Sequence, residues 1–129
     1  KRNEEAYLED WLYSSHRKPL VIRGARQVGK STLVRLFCQQ HDRTLIEVDF
    51  EQNHAIRSLF TSNDPTKILQ TLEVLYDIRI DCAKTVLFLD EIQACPAAFQ
   101  SLRYFHENIP SLAVIAAGSL LEFALEQYE

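Results

Sequence analysis

Two periods of apolar residues alternate along this chain. Short unbroken apolar runs, the mark of strands buried on both faces, are separated by stretches in which apolar residues return every three or four positions. The first such stretch, "EEAYLEDWLYSS", places Tyr7, Leu8, Trp11 and Leu12 on one helical face, with acids in the first turn where the helix dipole favours them. "PLVIRG" then reads as a strand following a proline, and "KSTLVRLFCQQ" as a helix with Leu33, Val34 and Phe37 on one side. "TLIEVDF" is β-rich and partly alternating, which predicts a second strand, and residues 53–60 fit a short helix or a loop. "NDPTKILQTLEVLYD" carries a helix start, with Asp64 as cap and Pro65 in the first helical position, and Ile68, Leu72, Leu75 and Tyr76 in periodic register. "TVLFLDE" predicts a buried strand, "PAAFQSLRYFHEN" a helix through Phe99, Leu102 and Phe105, "LAVIAAG" a fourth strand and "LLEFALEQY" a last helix.

Strand and helix in strict alternation mean βα units, and βα units mean a mainly parallel sheet covered on both faces. The expected fold class is therefore α/β, a three-layer α/β/α core in one domain over residues 1–129, cut off after its fourth core strand. The length of 129 residues suits one domain that buries about two-thirds of its unfolded surface. Its net charge of −4 argues against a bulk electrostatic grip on nucleic acid. Cys38, Cys82 and Cys95 form an odd set without CxxC spacing, which reads as reduced thiols of a cytoplasmic protein. His16, His41, His54 and His106 lack partners at metal-ligand spacing. No leader opens the chain, and the uncharged run 109–121 is too short to span a bilayer. With no methionine and a helix broken off at its end, the chain reads as a piece of a longer protein.

The chemistry is concentrated in two places. Gly24-Ala25-Arg26-Gln27-Val28-Gly29-Lys30-Ser31 fits G-x-x-x-x-G-K-[ST] in full, and the expected binding segment extends to Thr32. Glycines let such a loop fold back so that successive backbone N–H groups face the α- and β-phosphates, and the following helix adds its positive end. Lys30 would reach the β/γ oxygens, and the Ser31 hydroxyl would ligate Mg²⁺. The rival reading is a plain glycine-containing turn into a helix. An apolar strand before the match and an amphipathic helix after it both speak for a phosphate loop.

Roughly 60 residues downstream, "TVLFLDEIQ" ends a buried strand on Asp90 and Glu91. Such a strand should lie beside the loop-bearing strand or one strand away, so that Asp90 supports the Mg²⁺ held by Ser31. Glu91 is placed to orient and deprotonate the water that attacks the γ-phosphate. Alone, an acidic pair at a strand end is commonly a solvated one; after a complete phosphate loop it points to hydrolysis. No N-K-x-D appears, which favours adenine over guanine, and no L-S-G-G-Q of a transport cassette. A small-molecule kinase would have little use for Glu91.

Together, "RGARQVGKSTLV", "VLFLDEIQ" and "AVIAAGSLLEF" resemble the AAA+-type P-loop ATPases, in particular a prokaryotic group of predicted ATPases with a further domain downstream. The resemblance spans nearly the whole chain. It implies a P-loop NTPase core, ATP or ADP as ligand, Mg²⁺ as cofactor and self-association through AAA+-type interfaces. It also implies a downstream effector domain and no membrane partner. It places on Ser119 the role of touching the γ-phosphate or the attacking water, with helix capping as the rival role. In such ATPases an arginine finger and a lid follow the fourth strand, beyond this chain, so binding with weak or no turnover is expected of the isolated segment. Arg79 and Arg103 qualify for a finger by type only, and surface ion pairing is the stronger reading of each. The missing fifth strand would leave the loop-bearing strand at an edge.

For the base and ribose, residues 17–19 or Tyr7 and Trp11 are candidates, with core packing the rival for the aromatics. Asp49 is a candidate to steer Glu91, against a solvated strand-end acid. The function so read is Mg²⁺-dependent ATP binding and hydrolysis. Two alternatives stay open: a nucleotide-gated interaction switch that seldom cleaves ATP, and the motor part of a DNA-linked protein.

Overall fold

The computed structural model describes residues 2–23 and 28–118. The chain runs α1 (Arg2–Leu12), β1 (Leu20–Arg23), α2 (Val28–Gln40), β2 (Thr44–Asp49), α3 (Pro65–Tyr76), β3 (Thr85–Asp90), α4 (Pro96–Asn108) and β4 (Ala113–Gly118), with short 3₁₀ helices at His54–Ser62, Cys82–Lys84 and Ile92–Ala94. The four strands form one parallel sheet in the order β1-β4-β3-β2. The expected loop 24–27, Ser119 and the last helix lie outside the described residues.

The two unbroken apolar runs become the inner strands. Every residue of β3 and of β4 is buried, because alternate side chains enter different layers. Val86 and Phe88 of β3, with Ala113, Ile115 and Ala117 of β4, pack against Leu8 and Leu12 of α1 and Val34 and Phe37 of α2. Leu87 and Leu89, with Val114 and Ala116, enter the opposite layer with Phe60, Ile68, Leu72 and Phe105. These are the three layers that the alternation of periods implied. The ambiguous stretch after β2 is the 3₁₀ helix, which drives Ile56 and Phe60 into this second layer.

Helix α3 starts as its sequence dictates, with Pro65 in the first turn and the Asp64 carboxylate accepting from Lys67 N at 3.4 Å. Its inward face differs from the expected one. Ile68, Leu69 and Leu72 are buried, whereas Leu75 is 60% exposed. The stripe Pro65–Ile68–Leu69–Leu72 already satisfies the helical period. The last turn extends past the apolar layer, where Tyr76 donates its hydroxyl to Glu47 O at 2.9 Å. That bond covers a carbonyl on β2, one of the two edge strands, and Arg35 grips the Glu47 carboxylate with two hydrogen bonds of 2.9 and 3.0 Å. In α1, Leu8 and Leu12 are buried but Tyr7 is 63% exposed, so the expected four-residue face is narrower than predicted. Trp11 is half-buried and donates Nε1 to Lys18 O at 2.6 Å.

Leu72→Ala should cost about 2–5 kcal/mol of folding stability in urea unfolding, while Leu75→Ala should stay within about 0.5 kcal/mol. Equal losses would contradict the observed face of α3.

Candidate functional site

The parallel register brings the chemistry to the C-terminal edge of the sheet. β1 feeds residues 24–27 and then α2, whose first turn carries Lys30 and Ser31. β4 stands between β1 and β3, with Arg23 opposite Gly118, and β3 ends on Asp90 opposite Asp49 of β2. Across that edge the Ser31 hydroxyl donates to Asp90 Oδ2 at 3.3 Å. Asp90 is therefore one strand away from the loop-bearing strand and within reach of the α2 N-terminus.

Two features of α2 find no explanation among the described residues. The Lys30 ammonium is buried without a hydrogen-bond partner among the described residues, an arrangement that folding alone disfavours. Gly29 sits in the first helical turn without left-handed backbone, and no atom lies within 4 Å of the place a Cβ would occupy. Glycine there costs about 1 kcal/mol relative to alanine, and no neighbour among the described residues demands it. An anion resting on the helix N-terminus explains both, since it would pair the ammonium and approach the bare backbone.

The acidic pair is held under tension. Asp90 and Glu91 are each only 9% exposed, and the Asp90 Oδ1 accepts from Glu91 N at 2.9 Å. Burial raises the Asp90 pKa, and the neighbouring charges of Glu91 and Asp49 add to it against the relief from the Glu91 N–H. Glu91 itself has left-handed backbone (φ 53°, ψ 48°), which costs a non-glycine residue about 1 kcal/mol. That bend turns the chain off the strand into the Ile92–Ala94 turn and brings Gln93 round, so that its Nε2 donates to Glu91 Oε1 at 2.9 Å. Sequence reasoning gave Gln93 no role; periodicity has nothing to say at a residue where the strand has just ended.

Asp49, at the end of β2, uses one carboxylate oxygen locally. Its Oδ1 accepts from the backbone N–H groups of Glu51 and Gln52 at 2.9 and 3.2 Å, so it stabilises its own turn. Residues 17–19 precede β1 and so stand at the opposite end of that strand from residues 28–31. Arg17 there donates to Leu12 O and Ser111 O, both at 2.8 Å, as a clamp between α1 and the approach to β4. Arg103 is exposed, 4.0 Å from Glu107, and lies over the Tyr104 ring. Arg79 is exposed. Val28 and Thr32 both lie in the first turns of α2, while Gly24, Ala25, Arg26, Gln27 and Ser119 fall outside the described residues.

The donor set fits Mg²⁺. A hydroxyl and a carboxylate oxygen converge, both hard ligands, where three acidic side chains raise the demand for a cation. The same crowding has a cost in the protein alone. Because folding raises the Asp90 pKa, its protonated form favours the folded state; that contribution is present below the ordinary carboxylate pKa and is lost as pH rises through the raised value. Asp90→Asn should therefore stabilise the metal-free protein by about 0.5–2 kcal/mol near neutral pH and by little at pH 3, as read by thermal melts across that range. A variant less stable than the parent at pH 7 would contradict this.

A sequence profile of the AAA domain matches residues 16–129. No curated protein matches the chain. Among solved structures, the chain is similar to the RuvB Holliday junction branch migration motor of Thermotoga maritima, at 14% sequence identity and a TM-score of 0.50, over 92% of this chain and 36% of that one. It is also similar to PCH-2 of C. elegans, at 14% identity and a TM-score of 0.48, over 98% of this chain and 36% of that one. The chain thus spans 36% of the length of each, and the likeness to RuvB is one of fold. The profile covers all but the first 15 residues, the sheet is parallel in the order β1-β4-β3-β2, and on both grounds the chain belongs to the AAA domain family, the AAA+-type P-loop ATPases.

Proposed function

We propose that this chain is the nucleotide-binding core of a Mg²⁺-dependent ATPase in which residues 24–32 hold the phosphates of ATP. Lys30 neutralises the β/γ oxygens, Ser31 and Asp90 hold the metal ion, and Glu91 is the base for the attacking water. The observation that carries the reading is the meeting of Ser31 and Asp90 at 3.3 Å near the buried ammonium of Lys30, which has no partner among the described residues. Bound there, Mg²⁺ supplies charge neutralisation on the transferring phosphoryl group.

The chain's own groups divide the remaining work. The positive end of α2 and the backbone of the loop orient the phosphates. Lys30, already desolvated, loses little on meeting an anion and gains a partner. Glu91 stands one residue beyond Asp90, and its near-burial keeps its carboxylate from the competing hydration of bulk solvent. There it takes a proton from water as the oxygen attacks phosphorus, and the bond to the leaving diphosphate breaks. Ser119 follows directly on β4, whose end lies between those of β1 and β3, and this position supports a contact with the γ-phosphate.

In the full-length protein with Mg·ATP, Lys30→Ala should weaken nucleotide affinity by about 10–100-fold in calorimetry while the melting temperature is retained. Unchanged affinity would remove the loop assignment. Glu91→Gln should keep the affinity and lower single-turnover release of phosphate by about 10²–10⁴-fold. Turnover equal to that of the parent would remove the base assignment.

A further inference from the structure

We propose that Gln93 is the positioning residue for the Glu91 carboxylate, and that Gly118 at the end of β4 is glycine in order to make room for it. This rests on the reading of Glu91 as the base.

The hydrogen bond is chemically unambiguous in its direction. A carboxylate oxygen only accepts, so the carboxamide must turn its NH₂ group to Glu91 Oε1, 2.9 Å away. Among the described residues Gln93 is the one side chain that donates to this carboxylate. The other half of the amide is then left facing protein. Gln93 Oε1 is buried and has no hydrogen-bond partner among the described residues, at a cost of about 1–3 kcal/mol. A glutamine in a short turn serves stability better by swinging into solvent. That it stays, with its acceptor unpaired, marks an arrangement kept for the carboxylate it touches rather than for the fold.

Gly118 closes the other side. A Cβ there would overlap the Gln93 carboxamide oxygen and would lie 3.6 Å from the backbone N of Ile92. The bare Cα is thus the wall against which the amide rests. The turn that carries both residues is itself well anchored: Ile92 is fully buried, Ala94 N donates to Glu91 O at 3.1 Å, and Cys95 N donates to Ile92 O at 2.9 Å. A glutamate in left-handed backbone at a strand end would otherwise sample several rotamers. Held by Gln93 at one oxygen, the carboxylate is restrained to one placement. An error of about 1 Å in such a group can cost on the order of 100-fold in rate. The amide also joins the base to the end of β4, next to Ser119, so that a shift of that strand end moves Glu91 as well.

The test uses the full-length protein with Mg·ATP. Gln93→Met keeps the length of the side chain and removes the donor. It should lower kcat by about 10–100-fold with KM and ADP affinity changed less than about 3-fold. In a Glu91→Gln background the same substitution should change the residual rate by less than about 3-fold, since a residue that acts through Glu91 has nothing left to position. Gly118→Ala, which displaces only the flexible end of Gln93, should reproduce the loss and add nothing to Gln93→Ala. Normal kcat in Gln93→Met while Glu91→Gln is inactive overturns this proposal alone, as does an equal loss in both backgrounds. Normal turnover in Glu91→Gln overturns the base assignment, and this inference with it.

Discussion

The contact between Ser31 and Asp90 requires three strands to hold their order. Ser31 rides on the helix that follows β1, Asp90 ends β3, and β4 must pair with both for the 3.3 Å separation to exist. β4 can do this because it carries small and branched apolar residues only, which fit between two helical layers without a polar group to satisfy. The polar edge of the sheet is thus fixed by its apolar middle.

What this edge holds is costly to the fold. Among the described residues, Asp90 is buried beside two other carboxylates, Glu91 has left-handed backbone, Lys30 has a desolvated ammonium without a partner, and Gln93 has an acceptor without a donor. Each of these lowers stability, and all cluster at the ends of β3 and β4 and at the start of α2. Sites that bind a highly charged ligand are expected to concentrate such unmet demands, because the ligand and its cation meet them on binding. Under the proposed function, a polyphosphate with a divalent cation would supply the anion that Lys30 lacks and the positive charge that Asp90 lacks.

Away from this edge the buried Arg17 Nε and His106 Nδ1 also lack a partner among the described residues, but most polar groups there are paired. The outer strand β2 is protected by the Tyr76 hydroxyl on the Glu47 carbonyl and by the two-pronged hold of Arg35 on the Glu47 carboxylate. At the opposite end of the sheet, Arg17 ties α1 to the residues before β4 through carbonyl oxygens. No helix among the described residues is long and apolar enough to cross a membrane.

Within the described residues, the four strands, the helices α1 to α4, the parallel sheet and the approach of Ser31 to an acidic strand end were legible in the sequence, because they depend on local periodicity and on residue types at fixed spacing. The start of α3 at Asp64-Pro65 was legible for the same reason. The exposure of Tyr7 and Leu75 was not, since period alone cannot say where a helix overruns the layer beneath it. Nor was the local use of Asp49, whose Oδ1 accepts from two N–H groups of its own turn. The partnership of Glu91, Gln93 and Gly118 lay furthest from view. The first two are neighbours only because the backbone turns left-handed at Glu91, and the third arrives from a strand 25 residues further on. By itself the sequence determined which elements form and which groups carry charge, since both follow from side chains and their spacing. The tertiary structure decided which of those groups meet, because contact depends on strand order and on a single bend that no local pattern encodes.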